Sequence, residues 1–299
     1  MLLKLIFKKL KFILGICQSL IYSNLYISIA AVFLTIETQI QLGMKPQLYP
    51  YVFIIFFATL FEYNIHRLIL VLTNKDALNH DRHSWIKKYP KRFYFIVFFS
   101  IIGFLISVLL AKERILIALA PIGLLTIFYS LPFFKKIKYV FRLREIPFLK
   151  IFLISFVWSI VTILLPIIKS NNTYDKGHLL LMLIERFIFV FAITIPFDIR
   201  DMSDDRLSGL KTIPILIGQK KSIVVANISL LLFTIICLVH YPMYKLTFIL
   251  PGLILSALST LFFLNNKMLR SLYYYHYGIL DGTMILQGFL VIIFFYFLN

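Results

Sequence analysis

Long apolar runs separated by short charged segments repeat along the whole chain. Runs of the length needed to cross a bilayer, about 20 residues each, lie at 12–36, 49–72, 93–111, 115–134, 146–168, 179–197, 222–240, 246–264 and 278–298. The pattern predicts an all-α fold, a polytopic membrane helical bundle of about nine transmembrane helices. The longest interruptions, 73–92 and 198–221, are charged and contain no linker rich in Gly, Pro or Ser. Residues 1–299 therefore read as one membrane-embedded domain.

The basic residues orient that bundle. The N-terminus carries four Lys, and the 73–92, 135–145, 198–221 and 265–277 segments carry six, five, five and two Lys or Arg, against six in all on the other side. Such asymmetry predicts a cytoplasmic N-terminus and, with nine spans, a C-terminus outside. Composition agrees, with 61% hydrophobic residues and a mean hydropathy of +0.91. The net charge of +18 would suit nucleic acid, but in so apolar a chain it marks loops beside anionic membrane lipid, and no nucleic-acid partner is expected. Cys17 and Cys237 have no metal-ligand spacing. Richness in Ile, Lys and Asn points to an AT-rich genome and a bacterial cytoplasmic membrane.

Polar residues inside a span need a reason, because an ionised side chain at the bilayer centre costs at least about 2.5–3.5 kcal/mol. The second run holds Glu62, Asn64, His66 and Arg67. Two readings stand: an internal ion pair such as Glu62 with Arg186 of the sixth span, or a polar cavity in which Arg67 grips phosphate oxygens bidentately. Tyr129, followed by Lys135 and Lys136, reads either as an interfacial aromatic with ordinary basic neighbours or as a set of diphosphate contacts. Asp281, at the start of the ninth run, is a candidate for the cavity wall.

Acidic residues are crowded in only one place. Four of the thirteen lie between Asp198 and Asp205, where the sixth run ends. On a continuous helix Asp198, Asp201 and Asp205 fall within an arc of roughly 60°, and Asp204 points elsewhere. Three carboxylates on one face repel one another unless a cation holds them, and Mg²⁺ bridging to a diphosphate is a usual reason for such a face. A solvated helix end is the plainer alternative.

The run FDIRDMSDDRLSGLKTIPILIG resembles the second aspartate-rich motif of the UbiA superfamily of intramembrane prenyltransferases. Asp198, Asp201, Asp205, Arg206, Gly209, Thr212, Pro214 and Gly218 all fall on it. LREIPFLKIFLISFVWSIVTILLP also looks like that family's fifth span. The resemblance implies a helical bundle with a polar cavity open to lipid. Two Asp-rich motifs there hold Mg²⁺ on an isoprenyl diphosphate, and the allylic carbon passes to a hydrophobic, often aromatic, acceptor. It implies Asp198, Asp201 and Asp205 as catalytic metal ligands, and Asn64, Arg67, Tyr129, Lys135, Arg206 and Lys211 as diphosphate contacts.

The first motif departs from this pattern. With its asparagine on Asn64, the aspartate positions hold Ile65, Leu68 and Leu72. The expectation is a divergent Mg²⁺-dependent prenyltransferase in which Arg67, with Lys135, replaces one metal ion. The alternative is a non-catalytic relative that binds an isoprenoid lipid or serves as a subunit of a membrane assembly. A CDP-alcohol phosphatidyltransferase fits less well, because its D-G-x-x-A-R segment is absent.

Overall fold

The computed structural model describes residues 15–48, 51–73, 81–130, 134–136, 139–141, 146, 148–170, 172–207 and 209–298. Helices α1 (Gly15–Tyr22), α2 (Leu25–Gln41), α3 (Tyr51–Thr73), α4 (Asp81–Lys88), α5 (Pro90–Leu109) and α6 (Glu113–Ser130) are followed by a two-stranded antiparallel ribbon. In it β1 (Phe134–Lys136) pairs with β2 (Tyr139–Phe141). Then come α7 (Leu149–Ser170), α8 (Lys176–Arg200), α9 (Met202–Leu207), α10 (Ile213–Met243), α11 (Leu250–Asn265), α12 (Lys267–Arg270) and α13 (Asp281–Leu298), the last preceded by a π-helical turn at Tyr275–Leu280. Among the described residues seven helices are long and apolar enough to cross a membrane, or eight if α1 and α2 count as one bent span. Helix α6 occupies the remaining predicted run.

Helix α2 lies at the centre, packed on α13, α3 and α7, while α8 is held between α7 and α10. The α2–α13 approach is close enough that a Cβ at Gly288 would meet the Phe33 carbonyl oxygen at 2.5 Å. Small residues at such points let backbones come together where lipid supplies no hydrophobic drive. Phe95, Phe98, Leu105, Leu231, Ile235 and Leu238 stay exposed on the outside, as hydrocarbon-facing side chains should.

The first predicted run, 12–36, is not one straight helix. Helices α1 and α2 meet at a bend of 73°, with Asn24 in the left-handed region at φ 63°. Asn tolerates that conformation better than most residues. A break inside a bundle frees carbonyls that need donors. Asn64 of α3 supplies them: its Nδ2 donates to Ser23 O (3.0 Å) and Leu60 O (2.8 Å), while its Oδ1 accepts from Asn24 Nδ2 at 3.0 Å. Arg67 Nη1 donates to the neighbouring Tyr22 carbonyl.

About 18 Å along α8 from Asp198, at 1.5 Å per residue, the bundle encloses a second polar group. Arg186 pairs there with Glu37 of α2 at 3.0 Å, correcting the expected Glu62 partner. Its guanidinium also reaches Leu34 O, Thr162 and Gln41. Tyr241 donates to Glu185 Oε2 at 2.8 Å, His240 Nδ1 lies 2.7 Å from Glu185 Oε1, and the His178 ring follows. At the surface Asp175 caps α8 by accepting from His178 N at 2.9 Å and receives the Tyr244 hydroxyl.

Candidate active site

Helix α8 ends at Arg200, and Asp201 is the turn that joins it to α9. The path stays nearly helical, because Asp201 N bonds Phe197 O (3.0 Å) and Asp205 N bonds Asp201 O (2.9 Å). The two acidic residues before and after the joint are therefore kept on one side. Helix α9 closes with Leu210 N on Asp205 O (2.9 Å), Gly209 N on Arg206 O (3.1 Å), and Gly209 at φ 71°. That is the glycine stop in which only a residue lacking Cβ is unstrained, and it fixes where Asp205 sits.

The three carboxylates converge on a cation from another helix. Lys150 Nζ, in the first turn of α7, lies 2.9 Å from Asp198 Oδ1, 3.5 Å from Asp205 Oδ2 and 3.7 Å from Asp201 Oδ2. Asp201 is also held by Arg200, whose Nε and Nη2 donate to Oδ1 and Oδ2 at 2.7 and 3.1 Å. That guanidinium stacks over Tyr277, 4.9 Å from the ring centre. Asp204 is exposed and outside the group.

The environments of the carboxylates differ. Burial pushes the Asp205 carboxyl up, which Lys150 opposes and the Asp201 charge reinforces, and the net shift is upward. Burial pushes Asp201 up as well, but the hydrogen bond and charge of Arg200, with Lys150 behind them, outweigh it and hold this carboxyl below the usual range.

Asp198, Asp201, Arg200 and Lys150 form the polar mouth of a cavity of about 210 Å³ whose walls include Tyr63, Trp158, Phe197, Tyr277 and Asp281. Tyr63 and Trp158 also line a second, more apolar cavity of about 260 Å³ between α3, α5, α6 and α7. Charge at one end and aromatic and aliphatic walls behind it suit an amphiphile with an anionic head.

The sequence model of the UbiA prenyltransferase family matches residues 89–273. The chain belongs to the UbiA prenyltransferase family. Its fold is similar to the apo structure of a UbiA homologue from Aeropyrum pernix K1, with a TM-score of 0.61 and 14% identity over 91% of this chain and 96% of that one. It is also similar to a UbiA homologue from Archaeoglobus fulgidus bound to DMAPP and Mg²⁺, with a TM-score of 0.58 and 15% identity over 92% and 99%. No curated protein matches the sequence.

Within this UbiA fold the other candidate residues separate. Asn64 and Arg67 are buried away from the cavity lining and support the α1–α2 break. Arg206 and Lys211 are exposed and do not line it. The side chains of Tyr129 and Lys135 lie outside the described residues, although the backbone puts Tyr129 in the last turn of α6 and Lys135 opposite Val140 in the ribbon. Asp281 does line the cavity. Lys150 and Arg200 are additions. Lys150, Arg67 and Arg186 are the basic residues inside the predicted spans, which is the signal that marks it.

The donor set suits Mg²⁺ in part. Asp198 Oδ1 and Asp205 Oδ2 are buried, with the Lys150 ammonium 2.9 and 3.5 Å away as their counter-charge. Hard oxygen atoms with unused lone pairs are what that ion takes. Yet among the described residues no three acidic, His or Cys side chains stand close enough to share one ion. Mg²⁺ commonly uses one or two carboxylates and completes its shell with water and phosphate oxygens, and these two carboxylates meet that need.

Proposed function

We propose that this chain is a Mg²⁺-dependent intramembrane prenyltransferase that moves an isoprenyl group from an isoprenyl diphosphate to a hydrophobic acceptor. The observation that carries the reading is the pair Asp198 and Asp201 at the mouth of an aromatic-walled cavity, with Asp205 joined to them behind Lys150. Bound Mg²⁺ would neutralise diphosphate oxygens and make the diphosphate a better leaving group. Asp198 and Asp205 would hold that ion through carboxylate oxygens, and Asp201 would be kept ionised by Arg200. The diphosphate lies at the mouth with the prenyl chain directed past Tyr63 and Trp158 into the second cavity. When the allylic C–O bond breaks, both electrons leave with the diphosphate, and the acceptor supplies the pair for the new bond to the allylic carbon and gives up a proton. The faces of Trp158, Tyr63 and Tyr277 then offer the allyl cation cation–π attraction while the walls exclude water.

The charge asymmetry of the loops supports a cytoplasmic mouth, with the N-terminus inside and the C-terminus outside, in what we take to be a bacterial cytoplasmic membrane. One observation favours the non-catalytic alternative. Lys150 already satisfies the acidic group electrostatically, so the carboxylates do not by themselves demand a metal. Purified protein incubated with labelled isoprenyl diphosphates of several lengths, with Mg²⁺ or with chelator, decides between them. Mg²⁺-dependent diphosphate release supports the enzyme; tight isoprenoid binding without release supports the inactive relative.

A further inference from the structure

An ammonium group in the middle of three carboxylates is an unusual choice for the mouth of an anion-binding cavity. On a solvated helix end the same acids would be screened by water and salt at little cost. Here Lys150 is brought 48 positions across the sequence, on α7, with its side chain only 20% exposed. It has three donors and no acceptor capacity, so it can face carboxylate oxygens on one side and phosphate oxygens on the other at once.

We propose that Lys150 is a diphosphate-binding residue that takes the place of a second metal ion, so that the site works with one Mg²⁺. The inference rests on the prenyl diphosphate reading given above. Three observations support it. The α3 positions where a second acidic motif would stand hold Ile65, Leu68 and Leu72, which ligate nothing. Of the polar residues of α3 beside them, Asn64 donates to the Ser23 carbonyl and Arg67 to the Tyr22 carbonyl. Lys150 and Arg200 with Asp198, Asp201, Asp205 and Asp281 carry a formal charge of −2 when ionised, and two side-chain cations already stand among the acids. The Lys150 ammonium would keep its contact with Asp198, the shortest of the three, while its remaining hydrogens turn to the diphosphate.

The test is titration calorimetry on detergent-purified full-length protein, using a non-hydrolysable thio analogue of an isoprenyl diphosphate with Mg²⁺. Wild type should bind the analogue with one Mg²⁺ per chain. Lys150→Met should weaken analogue binding about 10- to 100-fold, the usual worth of one hydrogen bond to a charged group. Lys150→Arg should retain most of it, and the melting temperature of each variant separates lost contact from lost fold. Two bound ions in wild type overturn the proposal. So does unchanged or tighter analogue binding in folded Lys150→Met, which would make Lys150 a mere occupant that Mg²⁺ displaces. Failure of wild type to bind the analogue at any Mg²⁺ concentration removes the prenyl diphosphate reading itself and this proposal with it.

Discussion

His178 Nδ1 and His240 Nε2 face each other at 2.7 Å inside the bundle, and their outer neighbours determine the protons between them. Gln41 O, 2.9 Å from His178 Nε2, only accepts, so that nitrogen carries hydrogen. Another proton lies between His240 Nδ1 and Glu185, and a third joins the two rings. Three protons over two imidazoles and a carboxylate is one more than two neutral rings beside an ionised acid would hold.

Replacing His240 with Gln should therefore leave Glu185 without its proton partner in a dry interior. Breaking a buried charged pair on one side costs about 3–5 kcal/mol. The expected result is a large fall in melting temperature with unchanged affinity for a prenyl diphosphate analogue in the folded fraction. A stability equal to wild type would show that the chain is solvated.

Asp198→Asn and Asp205→Asn should each weaken Mg²⁺-dependent analogue binding by about tenfold or more, since each removes a buried charged acceptor. Asp204→Asn, on the exposed side of α9, should stay within error of wild type. Calorimetry on the three variants checks this, and equal losses at all three would dissolve the convergent group.

Asn64→Ala should act on the fold and not on the ligand. It removes the donor to the Ser23 carbonyl and one acceptor of the Asn24 amide at the α1–α2 break, at a cost of about 1–3 kcal/mol. Denaturant or thermal unfolding in detergent should report that loss, with analogue affinity preserved. A selective loss of affinity would return α3 to the binding site.

Acid should loosen the surface end of α8. The Tyr244 hydroxyl and then the His178 amide hold the Asp175 carboxyl below its ordinary value. A depressed carboxyl stabilises the folded state fully above its unfolded pKa, and that contribution is lost as pH falls through the lower folded value. Hydrogen exchange at the first turn of α8 should rise only below the ordinary aspartate range, near pH 4. Asp175→Asn should exchange faster at neutral pH and lose the acid-dependent step.

Apolar periodicity made the spans legible, because a lipid-facing helix announces itself in one continuous stretch. The spacing of Asp198, Asp201 and Asp205 likewise placed three carboxylates together before any coordinates, since helical geometry is local. The break at Asn24 was hidden, as one left-handed asparagine in an apolar run carries no periodic signal. Partnerships were hidden for a different reason. Glu37 and Arg186 meet across 149 positions, counted between donor and acceptor, and nothing in either neighbourhood names the other. Lys150 was passed over among ordinary basic residues, although a buried acidic group always requires a counter-charge from somewhere. The bonds of Asn64 and Arg67 to the Ser23 and Tyr22 carbonyls were hidden too, because the demand of free carbonyls appears only once the helix is seen to break.

The close seat of Gly288 on Phe33 bears on how the protein is made. Glu37, in the second described helix, receives a hydrogen bond from Gln287, in the last, at 2.9 Å. During synthesis that carboxylate enters the membrane long before Gln287 leaves the ribosome. That carboxylate gains its Arg186 partner when α8 arrives, and its Gln287 donor only with the final helix. Truncation within α13 should therefore do more than remove one wall: it should leave the opening segment of the chain without a stable place in the bilayer.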